Sequence, residues 1–156
     1  TETAPALKAI LDEHLPGSQE LAWASSLEEA MAILEKGDVG VVVSELRIGN
    51  QDTTAFLKAL KRYRPEIVTI VLSTFQDGAL LVEMVNQGQI HRFLPKPLRN
   101  TMTARGVLSG IQRHREMRHL PHLAQRHRVE VPPREPEAGL VQRIKGIVRR
   151  IARPLQ

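Results

Sequence analysis

Two short apolar runs decide what this chain can fold into. Residues 39–44 (VGVVVS) and 67–72 (IVTIVL) are nearly unbroken β-branched stretches, each too short to be a buried helix. Runs without polar alternation belong to strands covered on both faces, the situation in a parallel sheet flanked by helices. Around them the apolar period changes to three and four. Leu7, Ile10, Leu11 and Leu15 form one helical stripe; Phe56, Leu57 and Leu60 mark a second helix, and Leu80, Leu81, Met84 and Val85 a third. Ser25-Ser26 with Glu28 and Glu29 reads as the start of a helix through Leu34, with Gly37 past its end. Asp52 or Thr53 caps the helix of Phe56, and Asp77 caps the helix of Leu80. A long helix is expected over 98–117. Four strands are expected, at 20–24, 39–44, 67–73 and 90–94. Strands alternating with helices of about ten residues predict an α/β fold built on a doubly wound parallel sheet.

The core of such a sheet must here be aliphatic, because apolar residues make up 42% of the chain and aromatics only 3%. There is no cysteine, which excludes a disulfide framework and thiolate metal sites and fits a reducing cytosol. No stretch approaches the roughly 18 apolar residues of a membrane span, and the opening residues do not read as a signal peptide. A cytoplasmic protein is expected.

Charge divides the chain. Residues 1–98 carry nine Lys/Arg against 13 Asp/Glu, net −4, whereas residues 99–156 carry 13 against four, net +9. Three parts are expected: a domain over 1–117, an irregular Pro/His/Arg linker over 118–137, and a basic amphipathic helix over 138–156. In that last part Leu140, Ile144, Ile147 and Ile151 fall at steps of four, three and four, on one helical face. Arg143, Arg149 and Arg150 decorate the remainder. Such a helix can lie on an anionic membrane surface, enter a partner's groove, pair as a short coiled coil, or pack back on its own domain. Nucleic acid is not an expected partner, because no recognised binding motif accompanies the charge. His114, His119 and His122 lie in or beside a Pro-broken segment, and no metal site is expected there.

Three residues at strand ends carry the chemistry. The run at 41–45 ends in Glu45, the next apolar strand closes at Ser73, and Phe93-Leu94-Pro95 leads into Lys96-Pro97. From about Ala6 to His114 the sequence resembles the receiver domains of bacterial two-component signalling. Within them it is similar to the branch fused to NtrC-type activators and HD-GYP phosphodiesterases. The pattern S-D-x-R-M-P-x-x-x-G stands here as Ser44-Glu45-Leu46-Arg47-Ile48-Gly49-Asn50-Gln51-Asp52-Thr53, and T-G-Y-x-D as Ser73-Thr74-Phe75-Gln76-Asp77. The stretch 84–97 is similar to that branch's A-I/V-N-x-G-x-I-Y-R-F/Y-L-x-K-P pattern, with Met84 and His91 in place of Ala and Tyr.

The resemblance implies a flavodoxin-like (CheY-like) fold with strand order 2-1-3-4-5 and a phosphoacceptor Asp served by Mg²⁺. It also implies the hydroxyl of Ser73 and the amine of Lys96 as donors to the phosphoryl group, and Phe93 as the ring that reports switch state. The departures are as informative. Glu45 stands in the phosphoacceptor position, about 1.5 Å longer than Asp, where a misplacement of about 1 Å can cost ~100-fold in rate. No acidic pair precedes it, and the family's first strand is missing or supplied from elsewhere: by residues upstream, by a second copy, or by Arg128-Val129-Glu130-Val131. No catalytic residue and no cofactor, Mg²⁺ included, is therefore expected. The expected function is a non-catalytic signalling module that acts on a protein partner or output domain, with a homodimer expected. Glu45 either mimics the phosphorylated state, pairing with Lys96 and accepting from Ser73, or forms an ordinary ion pair. Two alternatives stand beside it: a phosphorylatable receiver, and a membrane- or effector-targeting module working through the tail.

Overall fold

The computed structural model describes residues 3–15, 17, 19–87, 90–125, 139 and 142–144. Its centre is a parallel sheet of three strands in the order β1–β4–β5, formed by β1 (Val41–Glu45), β4 (Val68–Ser73) and β5 (Arg92–Pro95). The expected strands at 39–44, 67–73 and 90–94 are thus present, shifted by one or two residues. The register pairs Val41 with Val68, Glu45 with Leu72 and Ser73 with Pro95, so all three strands end together at one edge.

Side-chain alternation splits the core into two layers. Ile70, Leu72 and Leu94 meet Leu7 and Leu11 of α1 (Thr3–His14) and Val107 of α5 (Asn100–His119). On the opposite face Val71 joins Met31 and Leu34 of α2 (Leu27–Lys36), Phe56, Leu57 and Leu60 of α3 (Thr54–Tyr63), and Leu81 and Met84 of α4 (Gly78–Asn86). The central strand β4 is buried at all six positions, as its nearly unbroken β-branched run required. Each such Ile, Leu or Val side chain contributes about 1.5–3 kcal/mol by leaving water.

Helix starts follow the sequence in part. Ser26 is the N-cap of α2: the Glu29 amide donates to its hydroxyl at 3.1 Å, while the Glu29 carboxylate accepts from the Ser25 amide and hydroxyl. Asp52 accepts the Thr54 amide at the start of α3. Asp77 occupies the N-cap position of α4, but its side chain makes no cap bond.

The expected strand at 20–24 does not form, because a strand needs a ladder partner and none of the described residues supplies one. Leu21 reaches the α1/α5 side of the core, while Ala22, Trp23 and Ala24 are exposed. The outer edge of β1 is accordingly unpaired among the described residues, and Val41, Val42 and Val43 are only partly buried. The segment after β1 holds a hairpin that sequence reading did not anticipate. It joins β2 (Arg47–Ile48) to β3 (Gln51–Asp52) through Gly49, whose φ of 57° favours glycine. The linker is less irregular than expected: α5 runs to His119, beyond the expected boundary, and α6 (His122–Gln125) follows, with Leu123 packed beside Met117 and Val68. The proposed gap-filling stretch 128–131 lies outside the described residues. So do Leu140, Ile147, Ile151, Arg149 and Arg150 of the tail.

Candidate functional site

Because β1, β4 and β5 are parallel and in register, their C-terminal ends gather the strand-end side chains. Glu45 closes β1, Ser73 closes β4, and Lys96 follows β5, with its amide held by the Ser73 carbonyl at 2.8 Å. The Lys96–Pro97 peptide is cis. Lys96 Nζ lies 3.2 Å from Glu45 Oε2, with both side chains about a quarter exposed (26% and 27%). The pair that the motif spacing suggested therefore exists in space.

Ser73 does not join it. The Ser73 side chain is buried, and its Oγ lies 2.8 Å from Asp77 Oδ2 and 3.0 Å from the Thr74 carbonyl. A hydroxyl has one proton to donate, and here both acceptors in reach lie in the turn after β4, not on Glu45. The expected Ser73-to-Glu45 bond is absent for that reason: Asp77, four residues on and folded back by the turn Phe75–Asp77, is the nearer anion. Phe93 is exposed at 43%.

Sequence reasoning missed Thr53, which lies at 0% exposure. Its Oγ1 donates to the Glu45 carbonyl at 2.6 Å and its amide to the Leu46 carbonyl at 2.9 Å. Thr53 thus ties the β2–β3 hairpin to the end of β1 and fixes the backbone from which Glu45 projects. The signal was a Thr where the family pattern has Gly. It also missed a cleft of about 460 Å³ lined by Arg92, Arg99, Asn100, Thr101, Met102 and Arg105. No carboxylate lines this cleft.

The family's Mg²⁺ does not fit these residues. A hard divalent cation wants several oxygen ligands at once. Among the described residues no three Asp, Glu or His side chains gather for one. The carboxylate that would face it is already held by the Lys96 ammonium. What remains is an ion pair at the mouth of the sheet, worth about 1 kcal/mol or less at this exposure.

Comparison with known proteins agrees with the topology. The family described as the response regulator receiver domain matches residues 2–105. The hydrogenase transcriptional regulatory protein HoxA of Cupriavidus necator is 32% identical over 97 residues, which is 62% of this chain but only 19% of that protein. The chain therefore spans about a fifth of that relative's length. Among solved structures, adenylate cyclase from Rhodopirellula baltica superposes with a TM-score of 0.68 at 25% identity, over 80% of this chain and 90% of that one. The signal receiver domain of an HD domain-containing protein from Pseudomonas fluorescens Pf-5 gives a TM-score of 0.63 at 21% identity, over 75% and 84% of the two chains. With the receiver sheet, the strand-end pair and the matched family in agreement, the chain belongs to the response regulator receiver family of two-component signalling.

Proposed function

We propose that this receiver acts by protein contact alone, without an acyl phosphate. The observation that carries the reading is the 3.2 Å contact between Glu45 and Lys96. The amine that the family uses for the phosphoryl group is here neutralised by a side chain in the acceptor position itself. Of the two roles considered for Glu45, an ordinary ion pair is favoured over a phosphomimic. Ser73 is engaged by Asp77, and Phe93 stands exposed, so neither follows the carboxylate.

Receivers work through partner proteins or output domains, and one surface fits that role. Val82 and Val85 of α4, Phe93 of β5, and Met102 and Leu108 of α5 are all exposed. Arg92, Arg99 and Arg105 line the cleft beside them, which suits a partner with an acidic rim around an apolar centre. Self-association is part of the proposal, because the unpaired edge of β1 offers a second copy a ladder to complete.

The test is incubation with acetyl phosphate and Mg²⁺ followed by intact-mass and peptide mapping. No mass gain of one phosphoryl group is expected on the wild type. Lys96→Ala, which frees the Glu45 carboxylate, should also stay unmodified, because among the described residues no set of cation ligands gathers. A Mg²⁺-dependent adduct mapped to Glu45 in either protein would restore the phosphorylatable alternative.

A further inference from the structure

The described tail residues 142–144 are helical and do not stand free. Ile144 is at 0% exposure and belongs to the same apolar cluster as Met31 and Leu34 of α2. Beside it, the Arg143 guanidinium donates from Nη1 to Glu28 Oε2 at 2.8 Å and from Nε to Glu35 Oε1 at 3.2 Å. Glu28, Met31 and Glu35 are spaced by three and four, so they share one stripe of α2, with an apolar centre framed by an acid at either end. One arginine fork spans both acids, and the neighbouring isoleucine is buried in the apolar cluster to which Met31 belongs.

We infer that this stripe of α2 is a docking seat for a basic amphipathic helix, and that the chain's own tail occupies it in cis. Four observations favour that occupant. The isoleucine is fully enclosed, which an incidental surface contact does not achieve. Both charges of the seat are answered by one tail residue. The charge division of the chain runs the right way, with an acidic body of net −4 and a basic remainder of net +9. Reach is sufficient too: the 14-residue step from Gln125 to Gly139 extends to roughly 45–50 Å, against roughly 35 Å for the diameter of a compact unit of this size.

The two contacts have different jobs. Ion pairs this exposed are screened and individually weak, whereas complete burial of an isoleucine side chain supplies most of the hold. Arg143 sets where the helix sits and makes the seat sensitive to salt. While Ile144 is seated, it is withheld from any membrane or effector. A partner helix presenting the same isoleucine-and-arginine pattern would compete for the seat and release it. Arg143 and Ile144 and the stripe of α2 mask each other.

Hydrogen exchange with mass spectrometry on the full chain tests this, reading peptides that cover residues 139–148. Arg143→Glu and the double variant E28R/E35R should each speed tail exchange about threefold to tenfold, because each removes two exposed and individually weak ion pairs. Combining them, which swaps the charges across the seat, should restore protection. Salt at about 1 M, where the screening length is about 3 Å, should speed the wild type more than Arg143→Glu. Ile144→Ala should release the tail while Trp23 fluorescence and circular dichroism report an otherwise folded domain. Tail exchange in Arg143→Glu equal to wild type, or a charge-swapped triple no better protected than its parents, would overturn the seat. Protection that fades on dilution would overturn the assignment in cis and give the tail to a second copy.

Discussion

His91, an exposed side chain just before β5, takes up a proton less readily than a free histidine. Its ring Nε2 is 3.1 Å from Ser109 Oγ at the start of β5. Burial pushes its imidazole below the usual histidine value; Arg92, Arg113 and Lys61 push the same way, and only Glu116 opposes them. Lys61 is itself lowered by burial and by Arg113. A histidine with a depressed folded value is protonated first in the unfolded chain. Stability is therefore intact above the unfolded value of about 6.5 and declines as pH falls through it, levelling off only when the folded histidine titrates as well. The melting temperature should stay level between about pH 8 and 7 and fall below about 6.5, with His91→Gln flattening part of that fall. The lowered carboxylates, Asp52 at the start of α3 and Glu29 beside Ser25, act in the same sense, but their contribution is lost only in stronger acid. An unchanged acid slope in His91→Gln would place the effect elsewhere. At this scale the Glu45–Lys96 pair was legible, because parallel strands bring their ends together whatever the loops between them do. The Ser73–Asp77 bond was not. It depends on how tightly the turn after β4 closes, and the pattern of residues is silent on that.

Elements were legible where one residue pattern sufficed, and failed where a partner was needed. The largely apolar, β-branched β4 and the capped α2 follow from their own residues. Residues 20–24 carry a fair strand pattern but meet no neighbouring ladder, so propensity loses to missing hydrogen bonds. The β2–β3 hairpin was hidden for the opposite reason: its two-residue strands are too short to show a period, and only the Gly49-Asn50 turn announces it. Close packing of α5 on the sheet was equally invisible, since it turns on glycines. A Cβ placed on Gly106 would lie 2.7 Å from Leu94 Cδ2 and 3.3 Å from Leu94 Cδ1, and Leu94 is itself only 2% exposed. On Gly110 the nearest atom, Ile70 Cδ1, is 3.0 Å away. Alanine gains about 1 kcal/mol of helix propensity over glycine, but overpacking a closed core costs about 1–3 kcal/mol. Gly106→Ala should therefore destabilise by about 1 kcal/mol in urea unfolding, with Gly110→Ala nearer neutral. A stabilised Gly106→Ala would mean that Leu94 has room to turn away.

Across the whole molecule, the consequential feature is the side of the sheet where β1 stops. The Gly40 carbonyl accepts from the Val68 amide, so residues of even number along β1 direct their backbone groups toward β4. Val41, Val43 and Glu45 then direct theirs outward. The Glu45 carbonyl is satisfied by Thr53 Oγ1 at 2.6 Å, which seals the end of the edge beside the strand-end pair. The amides and carbonyls of Val41 and Val43 have no such partner among the described residues. Nothing on this strand discourages pairing, since it holds neither proline nor lysine, the residues that usually blunt an exposed edge. Its three valines keep both apolar faces partly in water. A second copy that aligned its own β1 alongside would satisfy those groups and cover those valines in one step. Sedimentation velocity across about 1–200 µM should accordingly show association that grows with concentration. Val43→Pro removes one outward amide while leaving the ladder to β4 intact, a substitution that edge strands tolerate. It should shift the equilibrium toward monomer, whereas Arg143→Glu, which loosens the tail, should leave it where it was. A single monomeric species over the whole range, or association untouched by Val43→Pro, would show that the edge of β1 is not where two copies meet.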